Sequence, residues 1–416
     1  MENIIYNKYY FNDIYSLKIK NMKYKKPKVS VILASYKHHL WVGEAIESVL
    51  KQTFNDLELI IVDDGSNDGS ASIIREYAKK DSRIKYEIFP ENKGAISAMK
   101  RCYDLCSADY LALISSDDVW ELQKLEKQVA ILDKNKNIGV VFGIPTFIDQ
   151  KGNPIKSDII KVFLNSLEKR DKYQWANYFF NKGNCLCHPS MVIRKECYME
   201  VGFYNSTLRS LPDFDMWVRL FWKYDVEVLE DILIKFRLHT FNESGRLNIS
   251  SDIRSQTEYK QILNNFLNQI KTIKDLEDVF PEYIEIFKIK NNLLVRFYIA
   301  KIALKRNIDF YNDFAFDVLY SEMAKPDVLE LIEKNKLYSL QQLANDISSA
   351  DIYKRRDAKN IKTFIKIPLI LKIEKIKSPE IYYFIFSILF IKVIEIKKTQ
   401  KKNSLKIFNM RTFIKK

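Results

Sequence analysis

Apolar and polar positions follow two alternating periods from residue 28 onward. The run Val29-Ser30-Val31-Ile32-Leu33 is short and almost continuously apolar and predicts a buried strand, while residues 40–52 predict an amphipathic helix. The pair repeats as a strand over 57–62 and a helix over 70–80, then as 83–89 with 95–106, and again as a strand over 110–114. Strands without polar alternation, joined by helices, imply a parallel sheet covered on both faces and hence an α/β fold. Mixed strands and helices continue over 138–240. After about residue 248 the strand signals stop, and 255–349 reads as several helices with Pro281 and Pro326 as breakers. No internal repeat is seen.

In open parallel sheets, ligands bind beyond the carboxyl ends of the strands. The residues that follow these runs are Ala34-Ser35-Tyr36, Asp63-Asp64-Gly65-Ser66 and Ser115-Ser116-Asp117-Asp118. Two of the three carry paired acids, which is costly unless something positive neutralises them. Asp117 and Asp118 suit a hard divalent cation bridging a diphosphate; an isolated Asp pair, though, is usually just a loop whose Asp caps the next helix. Asp63 and Asp64 can accept from a base N–H or a ribose hydroxyl, with Gly65 permitting the tight turn. Taken alone they too read as a helix-capping turn. Cys185-Leu186-Cys187-His188 invites a zinc reading, but no second ligand pair lies at suitable spacing, so it is read as a pocket wall.

The order of the pieces carries more than any one of them. Ala34-Ser35-Tyr36, then Ile61-Val62-Asp63-Asp64-Gly65-Ser66, Glu91-Asn92-Lys93-Gly94 and Ser116-Asp117-Asp118, closely resembles the family 2 glycosyltransferases. The resemblance continues through Asn184 and His188-Pro189-Ser190, Val201-Gly202-Phe203-Tyr204, Asp213-Phe214-Asp215-Met216-Trp217 and Phe236-Arg237-Leu238-His239, and covers roughly residues 28–245. It implies a GT-A fold, a Rossmann-like and mostly parallel sheet with helices on both faces, followed by a helical C-terminal region. It also implies inversion at the anomeric carbon.

As to site residues, the resemblance implies that Ala34, Tyr36, Asp64 and Asp117 line the nucleotide-sugar pocket, with Ser35, Asp63, Lys93 and Ser116 from the same segments. Asp118 and His239 are the expected ligands of Mn²⁺ or Mg²⁺, and Asp213 is the expected catalytic base. The chemistry agrees with these roles. A single displacement needs one base for the acceptor hydroxyl, a contribution of roughly 10²–10⁴-fold, and a metal stabilises the leaving diphosphate so that no protein acid is required. Two positions depart from the family pattern. Ser115 stands where an acid is common and supplies no charge; Pro212 stands before Asp213 where Glu is common. These departures motivate an alternative, a catalytically inactive nucleotide-sugar-binding scaffold of a glycan-assembly complex.

Charge divides the chain. From Lys354 onward there are 18 Lys or Arg against 4 Asp or Glu, which leaves 49 of each before it, so the whole net charge of +14 sits in the tail. Apolar stretches beside clustered lysines there read as a surface that lies on an anionic bilayer. The longest nearly unbroken apolar run, 381–391, is too short to span one. No nucleic-acid module accompanies the tail, and a basic tail alone gives only unspecific phosphate attraction, so nucleic acid is not expected as a partner. Five cysteines without framework spacing, and no signal-like N-terminus, fit free thiols and a cytoplasmic protein, peripheral on the inner face of the cell membrane.

The expected organisation is an extension over 1–27, a catalytic domain over 28–250, a helical region over 251–350 and a basic amphipathic tail over 351–416. The expected activity is transfer from a nucleotide-diphospho-sugar, UDP-linked, to a hydroxyl of a surface-glycan or lipid-linked acceptor.

Overall fold

A computed structural model describes residues 26–239, residues 249–350 and the backbone of four strands between Lys372 and Asn409. The chain divides into two compact units, one up to Ile299 and one from Ala300. Residues 1–25 of the expected extension over 1–27, and the segment 240–248, lie outside the described residues.

The first unit opens on β1 (Val29–Ser35), α1 (Val42–Leu50), β2 (Leu57–Asp63), α2 (Ser70–Lys80), β3 (Ile84–Ile88), α3 (Ala95–Leu105) and β4 (Tyr110–Ser115). These bounds lie within a residue or two of the ones the apolar runs predict. The reason is burial: every residue of β2 is inside, and β1 is inside at all but one position. Such strands need apolar side chains on both faces and leave an unambiguous run. The helix α1 buries Val42, Ala45, Ile46 and Val49 on one stripe, each worth roughly 1.5–3 kcal/mol for the larger side chains.

Next come β5 (Val119–Trp120), α4 (Lys124–Lys134), β6 (Ile138–Ile148), β7 (Pro154–Ile155), α5 (Ile160–Leu164), α6 (Lys172–Lys182), β8 (Val192–Arg194), α7 (Lys195–Val201), α8 (Pro212–Leu220), β9 (Asp225–Arg237) and α9 (Ile249–Gln269). The sheet order is β3-β2-β1-β4-β8-β6-β9-β5, with β7 on β6. The strands β3, β2, β1 and β4 run parallel; β8 is antiparallel to both β4 and β6, and β6 and β9 form a long parallel pair. This is the α/β, mostly parallel architecture expected.

One short pairing positions the site. Val119 opposes Lys235 and Trp120 opposes Ile234, antiparallel. That brings the end of β9 onto the corner just after β4, where Asp117 and Asp118 lie.

All five cysteines are free and buried, as expected from their spacing. Burial pushes the Cys185 thiol up to about 11, and those of Cys106 and Cys197 up to about 12. Trp217 and Trp120 are core, and Trp120 Nε1 donates to Pro189 O at 3.1 Å.

The second unit contains helices Asp309–Met323, Pro326–Lys334 and Leu340–Ala350, the second of them opening at the breaker Pro326. Tyr311, Phe314, Leu319, Val328 and Ile332 are buried there. The tail differs from expectation. Strand signals were expected to stop after about residue 248, yet β10 (Lys372–Lys377), β11 (Ile381–Ser387), β12 (Lys392–Thr399) and β13 (Lys402–Asn409) pair as an antiparallel meander. Ile, Val, Tyr and Phe are frequent between the lysines, and these residues favour extended backbone.

Candidate functional site

The turn after β2 is built by its own carboxylates. Asp63, fully buried, accepts from Ser66 N and Ser66 Oγ, both at 2.8 Å. Asp64 accepts from Lys93 N at 2.6 Å and from Gly94 N at 2.9 Å, so it fastens the 91–94 loop to the strand end. Burial raises the Asp64 carboxyl above its ordinary value, and these two N–H groups work against the rise. Gly65 completes the turn at φ +72°, and a Cβ there would sit 2.5 Å from the carbonyl carbon of Glu91. Gly65→Ala is therefore expected to cost roughly 1–2 kcal/mol for the left-handed conformation, and more for pushing the loop away. A falling melting temperature is the check; an unchanged one would show that the loop gives way freely.

The loop after β1 is clamped onto that turn. Lys37 N donates to Ser66 Oγ, His38 N to Ser70 Oγ and His39 N to Asp68 Oδ2, at 2.8, 3.1 and 3.1 Å. Ala34 is half-buried and Ser35 buried, while Tyr36 presents an exposed ring with Lys37 Nζ above it. Lys93 is exposed, its ammonium over Phe89.

At the end of β4 the two acids part company. Asp118 Oδ1 accepts from Arg237 N at 2.9 Å, deep in the protein. Burial and the charge of Asp117 push its carboxyl well above the usual range. Asp117 Oδ2 instead meets His239 Nε2 at 2.8 Å. With His38 these two make a group whose ligand atoms lie within 4.8 Å of one another. His38 Nδ1 is held by Ser116 Oγ at 2.8 Å, and Trp41 stacks on His239 at 4.2 Å between ring centroids. Two imidazole nitrogens and one carboxylate oxygen form a donor set that fits a divalent transition cation. The grouping thus joins Asp117 and His239, the first read as a pocket residue and the second as a metal ligand, and adds His38; it does not include Asp118. Cys185 and Cys187 are not in any such group among the described residues.

Arg237 is the strap behind this corner. Its guanidinium is wholly buried; Nε donates to Asp117 O at 2.7 Å, Nη1 to Asp149 O and Gln150 O, and Nη2 to Glu44 Oε2.

Asp213 stands in the first turn of α8, after Pro212 at its start. Pro suits that position because the missing N–H has no intrahelical partner there. Asn184 Nδ2 donates to Asp213 Oδ2 at 2.9 Å. His188 Nε2 lies 2.7 Å from Tyr204 OH; burial holds the His188 imidazole below its ordinary value, and Asp213 partly offsets this. The segment 184–190 ties the two clusters together. Asn184 at one end holds Asp213, and Pro189 at the other accepts from Trp120, two residues beyond Asp118.

Glu258, on α9, gives no signal in the sequence. Its buried carboxylate accepts from Arg209 N, Ser210 N and Leu211 N at 2.9, 2.7 and 2.8 Å, and these residues lead straight into Pro212. It braces the backbone that leads into Asp213. Glu258→Ala would strand three N–H groups, and a loss on the order of 3 kcal/mol is expected. Glu258→Gln keeps one acceptor, and a fall in kcat at unchanged donor affinity is expected of it. A melting shift with kinetic constants unchanged would reduce Glu258 to a purely structural role. A hollow of about 500 Å³ between β6, β9 and α5, lined by Ile144, Phe147, Ile155, Leu164 and Ile232 among others, shares no residue with this site.

Comparison with known proteins agrees with this geometry. Residues 30–202 match the family model described as glycosyl transferase family 2. An uncharacterised glycosyltransferase of Methanocaldococcus jannaschii is 32% identical over 240 residues, 56% of this chain and 77% of that protein. Another, from Rickettsia prowazekii, is 27% identical over 308 residues, 71% of this chain and 91% of the relative. Among solved structures, S. aureus TarS 1–349 in complex with UDP-GlcNAc is 14% identical, covering 85% of this chain and 98% of that one at TM-score 0.49. The α/β sheet and its acid-bearing strand ends agree with the family match and with the named glycosyltransferase relatives. The chain belongs to glycosyl transferase family 2 and is a glycosyltransferase.

Proposed function

We propose that this chain is an inverting transferase that moves a sugar from a nucleotide-diphospho-sugar, UDP-linked, to a hydroxyl of a glycan or glycolipid acceptor. The observation that carries the reading is the 184–190 segment, which fixes a base-competent carboxylate, Asp213, to the corner that bears Asp117 and His239.

In this reading Tyr36 offers its exposed ring to the base, and Asp64 with the 91–94 loop forms the wall against the nucleoside. Ala34, Ser35, Asp63 and Ser116 shape the floor. Asp63 acts through Ser66 and Ser116 through His38. Lys93, exposed beside Gly94, supplies positive charge for the diphosphate. Asp117 and His239 hold Mn²⁺ or Mg²⁺, which when bound stabilises the negative charge on the departing nucleoside diphosphate. Asp118 acts from behind, keeping the end of β9 in place through Arg237 N. Asp213 Oδ1 or Oδ2 takes the proton of the acceptor hydroxyl as that oxygen attacks the anomeric carbon. The charge excess of the tail supports an anionic membrane surface as the place of work, where each Lys or Arg contributes about 1 kcal/mol; among the described residues no helix is long and apolar enough to cross a membrane.

The test is a panel of nucleotide sugars offered with Mn²⁺, with and without EDTA, with nucleoside diphosphate release as the readout. Release from one donor, lost in EDTA, is the expected result. Donor binding without release, even with glycolipid acceptors supplied, would favour the inactive scaffold instead.

A further inference from the structure

The metal reading above names two ligands, and the structure supplies a third that the sequence pattern does not announce. We propose that His38 completes the cation site with Asp117 and His239, and that this two-imidazole, one-carboxylate set favours transition cations, Co²⁺ and after it Mn²⁺, over Mg²⁺. The inference rests on Asp117 and His239 holding the cation.

Three independent observations converge on it. The first is reach: one nitrogen of each ring and one oxygen of Asp117 fall within 4.8 Å of each other, close enough to share one ion. The second is orientation. A ligating imidazole commonly has its other nitrogen held by an oxygen, which fixes tautomer and ring plane; here Ser116 Oγ lies 2.8 Å from His38 Nδ1. The backbone is fixed as well, since His38 N donates to Ser70 Oγ and its neighbours Lys37 and His39 are tied to Ser66 and Asp68. Trp41 braces both rings, stacked on His239 and edge-on to His38 at 5.4 Å between centroids. The third is charge. Ser115 stands at the strand end where a further acid would serve a hard cation, and Asp118 is turned inward to Arg237 N. The site therefore offers one carboxylate where Mg²⁺ takes oxygen ligands in near-ideal octahedral geometry. Imidazole suits the later transition cations far better than Mg²⁺; Mn²⁺, which like Mg²⁺ readily takes oxygen ligands, stands at the low end of a series along which affinity for such a set rises. Three protein ligands still leave coordination positions for diphosphate oxygens.

The experiment uses the full chain, with Mn²⁺ alone and with Mn²⁺ plus UDP. Pulsed electron paramagnetic resonance counts the imidazole nitrogens coupled to bound Mn²⁺; equilibrium dialysis gives Mn²⁺ and Mg²⁺ affinities. Two coupled imidazoles are expected in the wild type and one in His38→Ala. That variant should lose about 10- to 100-fold in Mn²⁺ affinity, no less than an outer-shell loss costs, with Mg²⁺ affinity little changed. Added free imidazole should restore the second coupling in His38→Ala. A single imidazole in the wild type, or an unchanged Mn²⁺ spectrum in His38→Ala, overturns the proposal while leaving Asp117 and His239 as ligands. Because the wild-type count needs no variant, misfolding of His38→Ala does not blunt the test. No Mn²⁺ bound to the wild type with or without UDP would overturn the metal reading itself, and this inference with it.

Discussion

Asp213→Asn is expected to cut kcat by roughly 10²–10⁴-fold, the share a positioned base contributes, while UDP binding stays as in the wild type. The substitution is close to isosteric and removes only the capacity to take a proton. Asn184 Nδ2 now donates to Asp213 Oδ2 at 2.9 Å, and the carbonyl of the new amide can accept the same bond. The cost to the fold is small, since a first-turn carboxylate contributes about 0.3–1 kcal/mol through the helix dipole. Steady-state diphosphate release, read beside UDP calorimetry and a melting curve, separates the cases. Turnover close to wild type would move the base elsewhere. Lost turnover together with lost UDP binding would mean that the substitution disturbed the donor pocket rather than the proton transfer.

Arg237→Met is expected to be strongly destabilising, on the order of 3 kcal/mol, the upper end for hydrogen bonds made by a charged group. The guanidinium is fully enclosed, and its fork is spent on Asp117 O, Asp149 O, Gln150 O and Glu44. Removing it leaves the buried Asp117 carbonyl without that donor, at a cost of about 1–3 kcal/mol, while Asp149, Gln150 and Glu44 lie nearer the solvent. Met fills the space but donates nothing. Arg237→Lys should recover only part of the loss, because an ammonium cannot span the directions of a planar fork. Denaturant unfolding measures it: the midpoint should fall with the slope unchanged. An unmoved midpoint would show that the carbonyls find other donors and that the strap is dispensable.

The parts of this molecule that the sequence discloses are those in which one local property decides the outcome. The strands β1, β2 and β4 leave runs because nearly every residue in them is buried, and α1, α2 and α3 leave stripes because one face of each is. The strand β9 is harder to see: most of its first eight residues are only half-buried, so the run Asp225-Val226-Glu227-Val228 mixes acids with apolar residues. The site splits in the same way. Asp63, Asp64, Asp117, Asp118 and Asp213 stand out as acids at strand ends or a helix start. Which of two adjacent acids faces the histidines depends on the antiparallel contact of β5 with β9, and no spacing within 115–118 encodes that. His38 is one of two neighbouring histidines in a loop, and only coordinates distinguish the one held by Ser116 from the one paired with Asp68. Glu258 lies in a helix whose pattern shows only amphipathic packing. The tail strands escape notice because lysines break up the apolar pattern of β10, β12 and β13 and leave only the run that holds β11.

The pairing of β9 with β5 also bears on how this protein comes into being. The Arg237–Glu44 contact joins residues 193 positions apart, and His239 meets Asp117 across 122. Contacts of such separation are slow to form, since a long loop must close before they give anything back. On the ribosome the strands up to β4 emerge and can collapse early, but the corner after β4 stays open until residue 239 has left the exit tunnel. In the interval β6 shows a bare edge where β9 will dock, the kind of edge that recruits strands from other chains. A product that ends short of β9 would therefore be both inactive and prone to aggregate, however complete its nucleotide-facing strands.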